Sequence, residues 1–165
     1  LSKILPEFDN SPVSDSDTIF SETKDGKKKV DFIIYKAKKD NELVATAIQT
    51  SSIGFSGELK ILVSFDKEGK IFNYSLLQHS ETPGLGSKAE TWFGAYDNSK
   101  GEKAVPFTES STSIIGINPN EGKLQVKKDG GNIDAITGST ITSRAFLNAV
   151  QKAFEVYSST KKETL

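Results

Sequence analysis

Cysteine and methionine are absent from this chain of 165 residues, and histidine and tryptophan occur once each. Without cysteine the chain forms no disulfide, and it offers neither a thiolate metal ligand nor a cysteine nucleophile. The single histidine, His79, excludes a metal site built from several histidines. No nucleophile-elbow motif accompanies it, so a serine hydrolase is not indicated. We therefore expect His79 to have a structural or surface role.

Long apolar runs and an excess of one charge are also missing. No run of about 18 apolar residues is present, so the sequence predicts no membrane-spanning helix. The net charge of −1 gives no argument for nucleic-acid binding. The lysine runs at 27–29 and 38–39 are flanked by acidic residues, which favours a solvated surface. Hydrophobic residues at 35% and charged residues at 26% are typical of one globular domain with a modest core.

Alternating apolar residues predict strands joined in hairpins. Between them, turn residues occur at 38–41 and 66–69, and Gly69 is placed where a positive φ is needed. Further on, Pro83 and Gly84 force a turn, and Trp92 is expected in the core. The predicted elements are strands at 30–37, 43–50, 59–65 and 70–78, a helix at 87–93 capped by Ser87, an irregular segment at 96–112 and a short strand at 124–126.

The C-terminal part has the period of a helix. Phe146, Val150, Phe154 and Tyr157 recur at helical spacing, and small alanines lie beside them. An apolar stripe of this kind needs a surface to cover, and the hairpins provide one. The sequence therefore predicts an α+β fold: an antiparallel sheet built from hairpins, with a C-terminal helix packed on it.

A glycine-containing turn rich in hydroxyl groups, at 134–143, precedes this helix. The first turn of a helix has unpaired N–H groups and a partial positive charge, and both favour a phosphate. Gly138 lets a ligand approach the backbone closely. The alternative is that Ser139, Thr140 or Thr142 merely caps the helix.

Two strings in the chain resemble the FMN-binding domain family. The segment from Asp134 to Thr140 reads Asp-x-x-Thr-Gly-Ser-Thr, which resembles the flavinylation motif of that family. Serine at 139 replaces the commoner alanine. A second string, Glu-Thr-Pro-Gly-Leu-Gly at 81–86, resembles another segment of the family. The resemblance covers about residues 54–157 and is greatest to the G subunits of Rnf electron-transport complexes and the C subunits of sodium-pumping NADH:quinone reductases.

The resemblance implies the site residues. In the family, the last threonine of the motif carries FMN covalently through a phosphoester bond, and this position is Thr140 here. The neighbouring motif residues are Thr137, Gly138 and Ser139, and the opposite wall would be formed by Glu81, Thr82, Leu85 and Gly86. The residues alone favour another role for Glu81, which is capping or pairing with a surface lysine. They indicate that Thr137 and Asp134 hold the turn by local side-chain-to-backbone hydrogen bonds.

The resemblance also implies a function. It is that of a covalent-FMN electron carrier in a membrane-bound, ion-translocating complex, a redox subunit rather than a complete enzyme. The implied partners are the other subunits and the flavin transferase that supplies FMN. No Gly-x-Gly-x-x-Gly follows a strand, so no nicotinamide site is indicated. Two alternatives remain: a stand-alone extracytoplasmic FMN reductase module, and a non-redox module that binds another phosphate ligand.

The first residues suggest a tether. Residues 1–18 mix serine, aspartate and proline, which predicts a loosely packed linker, and residues 19–165 are expected to form the FMN-binding domain. The chain begins at Leu1 and lacks methionine, so we expect that an N-terminal membrane helix has been removed. The resemblance implies that the domain lies on the periplasmic, extracytoplasmic face of the inner membrane.

Overall fold

A five-stranded antiparallel sheet forms the centre of the computed structural model, which describes residues 1–94, 96–97, 102–103, 112–121 and 124–163. Each strand pairs with the one before it in the chain, so the sheet is a meander. The strands are β1 (Asp17–Glu22), β2 (Lys28–Lys39), β3 (Glu42–Ile53), β4 (Glu58–Asp66) and β5 (Ile71–Gln78).

The predicted hairpin turns are present. Asp40 and Asn41 connect β2 to β3 with φ angles of 53° and 65°, a region that aspartate and asparagine tolerate better than most residues. Gly69, with φ of 84°, connects β4 to β5. The Asp66 side chain stabilises this second turn, because its Oδ1 accepts the N–H groups of Glu68 and Lys70 at 2.9 and 3.0 Å.

One long helix, α2 (Thr140–Glu163), packs across β3 and β4. Phe146 is fully buried on its inner side. Its ring stacks on Phe93 with a centroid distance of 4.4 Å and meets the edge of Tyr74 at 4.8 Å. Tyr74 in turn donates its hydroxyl to the carbonyl of Ala89 at 2.7 Å. These contacts confirm the α+β fold with a C-terminal helix packed on the sheet.

Aromatic contacts also hold the C-terminal half of α2 on the sheet. Phe154 and Tyr157 contact the ring of Phe65 on β4, at centroid distances of 5.6 and 5.0 Å. The Tyr157 hydroxyl also donates to the carbonyl of Asp66 at 2.8 Å.

Among the helices that the structure describes, none is long and apolar enough to cross a membrane.

The first residues pack more closely than the sequence predicts. Ile4 and Leu5 are 3% and 5% exposed, and they cover the face of the sheet opposite α2. They fit there because the strands carry small residues on that face, such as Ala37 and Ala47. Strand β1 also begins inside the predicted linker, at Asp17. Residues 1–18 are therefore more ordered than a loosely packed linker.

Two further elements differ from the prediction. In place of one helix at 87–93 there is a 3₁₀ turn (Gly86–Lys88) followed by α1 (Ala89–Trp92). Ser87 does not cap it; its hydroxyl accepts the N–H of Gly84 at 3.0 Å. In the predicted strand at 124–126, only Val126 forms a bridge, to Ile133. The irregular segment predicted at 96–112 lies largely outside the described residues, apart from β6 (Tyr96–Asp97) and its partner β7 (Glu102–Lys103).

Candidate functional site

The fold brings the two motif segments together around one cleft. The loop after β5 forms one wall and the start of α2 forms the other, and the cleft between them has a volume of about 420 Å³. This volume lies within the usual range for small-molecule sites. Its lining residues are Phe55, Thr82, Leu85, Gly86, Gly138, Ser139, Thr140, Ile141 and Thr142.

Gly138 is required by the backbone of this cleft. Its φ of 75° is in the left-handed region, where other residues are strained. A Cβ atom at this position would also lie 3.4 Å from Cδ2 of Leu85, across the cleft. That distance is an ordinary van der Waals contact, so it is the positive φ of the turn into α2 that requires the glycine.

The start of α2 leaves backbone donors available. The carbonyl of Ser139 accepts the N–H of Ser143 at 3.1 Å, which marks the beginning of the helix. Within the part of the chain that the structure describes, the N–H groups of Thr140, Ile141 and Thr142 donate to no other group. The Thr140 hydroxyl, at the mouth of the cleft, likewise has no hydrogen-bond partner there. Unpaired N–H groups at a helix start are a favourable environment for an anion.

The side chain that secures this helix start is Ser143. Its buried hydroxyl accepts the N–H of Ile136 at 2.9 Å and donates to the carbonyl of Ser139 at 2.9 Å. The Thr142 hydroxyl donates elsewhere, to Glu81. In the described chain, then, none of Ser139, Thr140 and Thr142 caps the helix, so that alternative is not what the structure has, and the hydroxyls of Ser139 and Thr140 are available to a ligand.

The turn before the helix is fixed from outside the cleft. Asp134, the first residue of the motif, pairs with Lys127 at 2.8 Å, and its carbonyl accepts the indole N–H of Trp92 at 2.9 Å. Arg144 makes two hydrogen bonds to Asp129, at 2.8 and 3.0 Å. Trp92 packs against the main core and does not line the cleft, as predicted.

The structure separates the predicted site residues into two groups. Those that line the cleft are Thr82, Leu85, Gly86, Gly138, Ser139 and Thr140. Glu81 and Thr137 do not line it. Thr137 is exposed in the turn, whereas Glu81 is buried behind the wall, so a wall position for Glu81 is not what the structure has. Phe55 also lines the cleft and was not predicted as a site residue; the two glycines near it, Gly54 and Gly57, are a signal in the sequence that could have indicated its loop.

Glu81 is 4% exposed, and its carboxylate accepts hydrogen bonds from other described residues of the chain. Oε1 accepts the hydroxyl of Thr142 and the N–H of Phe55, both at 2.8 Å, and Oε2 accepts the N–H of Ser56 at 2.6 Å. Burial acts to raise the pKa of the Glu81 carboxyl. The hydrogen bonds from Thr142, Ser56 and Phe55 together outweigh it and hold the pKa below its ordinary value.

His79 has the structural role that we expected. Its Nε2 lies 3.0 Å from Oε1 of Glu90, on the short helix, and its Nδ1 accepts the N–H of Glu81 at 3.2 Å. The ring does not line the cleft. It connects the end of β5 to α1 and thereby helps to place Glu81.

The lowered pKa predicts an acid-dependent stability. A carboxyl group with a lowered folded-state pKa stabilises the fold above its ordinary pKa of 4.5, and this contribution disappears as pH falls through the folded-state value. We expect Glu81→Gln to lower the free energy of unfolding by about 1–3 kcal/mol at neutral pH. The deficit should shrink below about pH 4.5, because only the wild-type protein loses stability by protonating this group.

Urea unfolding between neutral pH and about pH 3 measures this difference. The matched control is Glu155→Gln, which removes the same charge from an exposed position on α2. It should change stability by less than about 1 kcal/mol. A constant gap between Glu81→Gln and the wild type over the whole pH range would show that ionisation of Glu81 does not stabilise the fold.

These features are typical of a domain that binds a phosphate-bearing ligand at a helix start and holds its apolar part against a neighbouring loop. Residues 54–155 match the family described as FMN-binding domain. Because the match extends over more than half of the chain and includes both motifs, the chain belongs to the FMN-binding domain family. The resemblance drawn from the two strings is thereby confirmed.

Several named relatives agree with this family. The chain is 38% identical over 120 residues to the G subunit of an ion-translocating oxidoreductase complex from Erwinia tasmaniensis, covering 72% of this chain and 52% of the relative. The corresponding G subunit of Stutzerimonas stutzeri is 33% identical, with 94% and 62% covered, and that of Vibrio cholerae is 31% identical, with 94% and 69% covered. The chain thus spans about half to two thirds of the length of these relatives.

Proposed function

We propose that this domain is a covalent-FMN electron carrier of an ion-translocating, membrane-bound electron-transport complex of the Rnf type. FMN would be joined to Thr140 by a phosphoester bond. The observation that carries the proposal is the position of Thr140: it is the first residue of α2, it lines the cleft, and its hydroxyl has no partner in the described chain.

The residues of the cleft fit FMN. The unpaired N–H groups of Thr140, Ile141 and Thr142 suit its phosphate, because they add to the positive end of the helix dipole. The side chains of Leu85 and Phe55 give apolar surface for the ring, and the Thr82 side chain adds a hydroxyl. When bound, FMN supplies one- or two-electron transfer, and the protein supplies binding and orientation.

The test is coexpression of the domain with a flavin transferase. The proposal expects the intact mass to increase by that of FMN less one water, and the modified peptide to contain Thr140. Flavin that dissociates on denaturation would show binding without a covalent bond. A protein that gains neither mass nor colour, while the transferase labels a known substrate, would refute the proposal.

The assembly and its location are part of the same proposal. The relatives are named as G subunits of ion-translocating oxidoreductase complexes, and this supports partner subunits and a membrane complex. We propose that an N-terminal helix tethers the domain to the inner membrane on its periplasmic face. The ordered lead-in, with Ile4 and Leu5 seated on the sheet, would hold the domain close to that tether.

Accessibility in spheroplasts tests the location. A protease or an impermeant label added from outside should reach the domain of the full-length protein in intact spheroplasts. Protection until lysis would place the domain in the cytoplasm and contradict an Rnf-type arrangement. A full-length gene without an apolar segment of about 20 residues upstream of Leu1 would rule out the tether.

A further inference from the structure

The buried carboxylate of Glu81 connects three separate segments of the chain. It receives the hydroxyl of Thr142 from the first turn of α2 and the N–H groups of Phe55 and Ser56 from the loop between β3 and β4. Its own backbone belongs to the motif loop after β5. These segments are distant in sequence, and each of them contains lining residues of the cleft.

The space around the carboxylate is reserved by glycines. A Cβ atom on Gly54 would overlap Oε1 of Glu81, and the carboxylate could move away only by giving up its hydrogen bonds. A Cβ atom on Gly86 would lie 2.7 Å from Cβ of Glu81 and 2.8 Å from Oγ1 of Thr142. Both positions therefore need glycine for the same reason: the loops on both sides approach Glu81 too closely to leave room for a side chain.

The hydrogen bond to Glu81 fixes the backbone of Phe55. This residue is 68% exposed and lines the cleft, so apolar burial does little to fix its position. What holds its backbone is the N–H bond to Glu81. The loop is closed by a second bond, in which the N–H of Gly54 donates to the carbonyl of Gly57 at 2.7 Å. Phe55 therefore forms part of the lining of the cleft and is not part of the hydrophobic core.

We propose that Glu81 is a positioning residue of the cleft: its carboxylate fixes the Phe55 loop to the start of α2 and so holds the Phe55 ring against the bound flavin. The part of this proposal that concerns flavin rests on the proposed function. Glu81 itself does not line the cleft, and its carboxylate accepts hydrogen bonds from the protein.

The chemistry of the carboxylate provides a selective variant. Glutamine has the shape of glutamate, but one of its two terminal atoms is a donor. Whichever way the amide is turned, its NH₂ group faces the N–H of either Phe55 or Ser56, and one hydrogen bond is lost. Thr142→Val removes the third hydrogen bond without changing shape or charge, and Thr142→Ser keeps the hydroxyl.

Two readouts test the proposal. In the flavin-free domain, Glu81→Gln should speed hydrogen exchange at the amide that loses its bond, that of Phe55 or that of Ser56, by roughly ten-fold or more. In the flavinylated domain, the same variant should shift the flavin absorption and relieve fluorescence quenching, and Phe55→Leu should have the same effects. Thr142→Val should produce smaller changes in the same directions. Thr142→Ser, which keeps the hydroxyl, should preserve the exchange rates of the flavin-free domain, and Glu155→Gln, at an exposed position on α2, should match the wild type in both readouts.

The outcomes are distinct. Faster exchange in Glu81→Gln with unchanged flavin spectra would overturn the positioning role, as would a Phe55→Leu variant with the wild-type spectrum. Unchanged exchange in both Glu81→Gln and Thr142→Val would overturn the connection itself. If Glu81→Gln does not fold, Thr142→Val and Thr142→Ser decide the question. A wild-type domain that takes no FMN refutes the proposed function, while amide exchange still measures the connection in the flavin-free protein.

Discussion

Replacing Thr140 by alanine should abolish covalent attachment of FMN. The phosphoester needs the threonine hydroxyl, and alanine has none. The same substitution should change the free energy of unfolding by less than about 1 kcal/mol, because the hydroxyl makes no hydrogen bond in the described chain and its loss leaves no buried group unpaired. Intact mass after coexpression with the transferase, together with urea unfolding, measures both quantities.

Ser139→Ala is the matched control. It removes the adjacent hydroxyl from the same turn, and it introduces the residue that is commoner at this position of the motif. Attachment should continue at the wild-type level. An adduct that persists in Thr140→Ala, or that maps to Thr137 or Thr142, would show that the acceptor has been assigned to the wrong residue.

Replacing Phe146 by alanine should lower the free energy of unfolding by about 3–5 kcal/mol. Phe146 lies on α2, and its ring is fully buried against the rings of Phe93 and Tyr74. The substitution therefore removes two aromatic contacts and leaves a cavity. A loss of this size is a large fraction of the stability of a typical domain. Urea unfolding followed by circular dichroism gives the value.

Phe72→Ala is the control for that experiment. Phe72 lies on β5 and is 41% exposed, so its removal should cost less than about 1 kcal/mol. Comparable losses in the two variants would mean that Phe146 does not anchor the helix. If Phe146→Ala alone also lost flavin attachment, the loss would be indirect, since Phe146 lies in the core and does not line the cleft.

The main elements of the fold are predictable because their patterns are local. The alternation in β2 to β5 and the helical spacing from Phe146 to Tyr157 require no knowledge of distant residues. Strand β1 was missed for a physical reason: it is an edge strand, exposed at all six residues, and has no buried face to impose an alternation. The packing of Ile4 and Leu5 depends on small residues of β2 and β3, which a local pattern does not contain.

The site also has a part that the sequence predicts and a part that it does not. The hydroxyl-rich turn at Thr140 and the loop at Leu85 are recognisable as strings, and the structure places them on one cleft. The sequence segment around Glu81 does not indicate where its side chain lies. That position depends on Gly54, from the other side of β4, and on Thr142 in the helix. Such a residue is visible only when the three segments are seen together.

The order of elements along the chain bears on when the cofactor can be received. All five strands of the meander precede α2, so they leave the ribosome first, and their hairpins need only neighbouring contacts. Neither the cleft nor the main core is complete until the helix that supplies Thr140 and Phe146 has been synthesised. A nascent chain of this kind stays incompletely folded until its last helix has been synthesised, so the cleft is among the last parts of the domain to form.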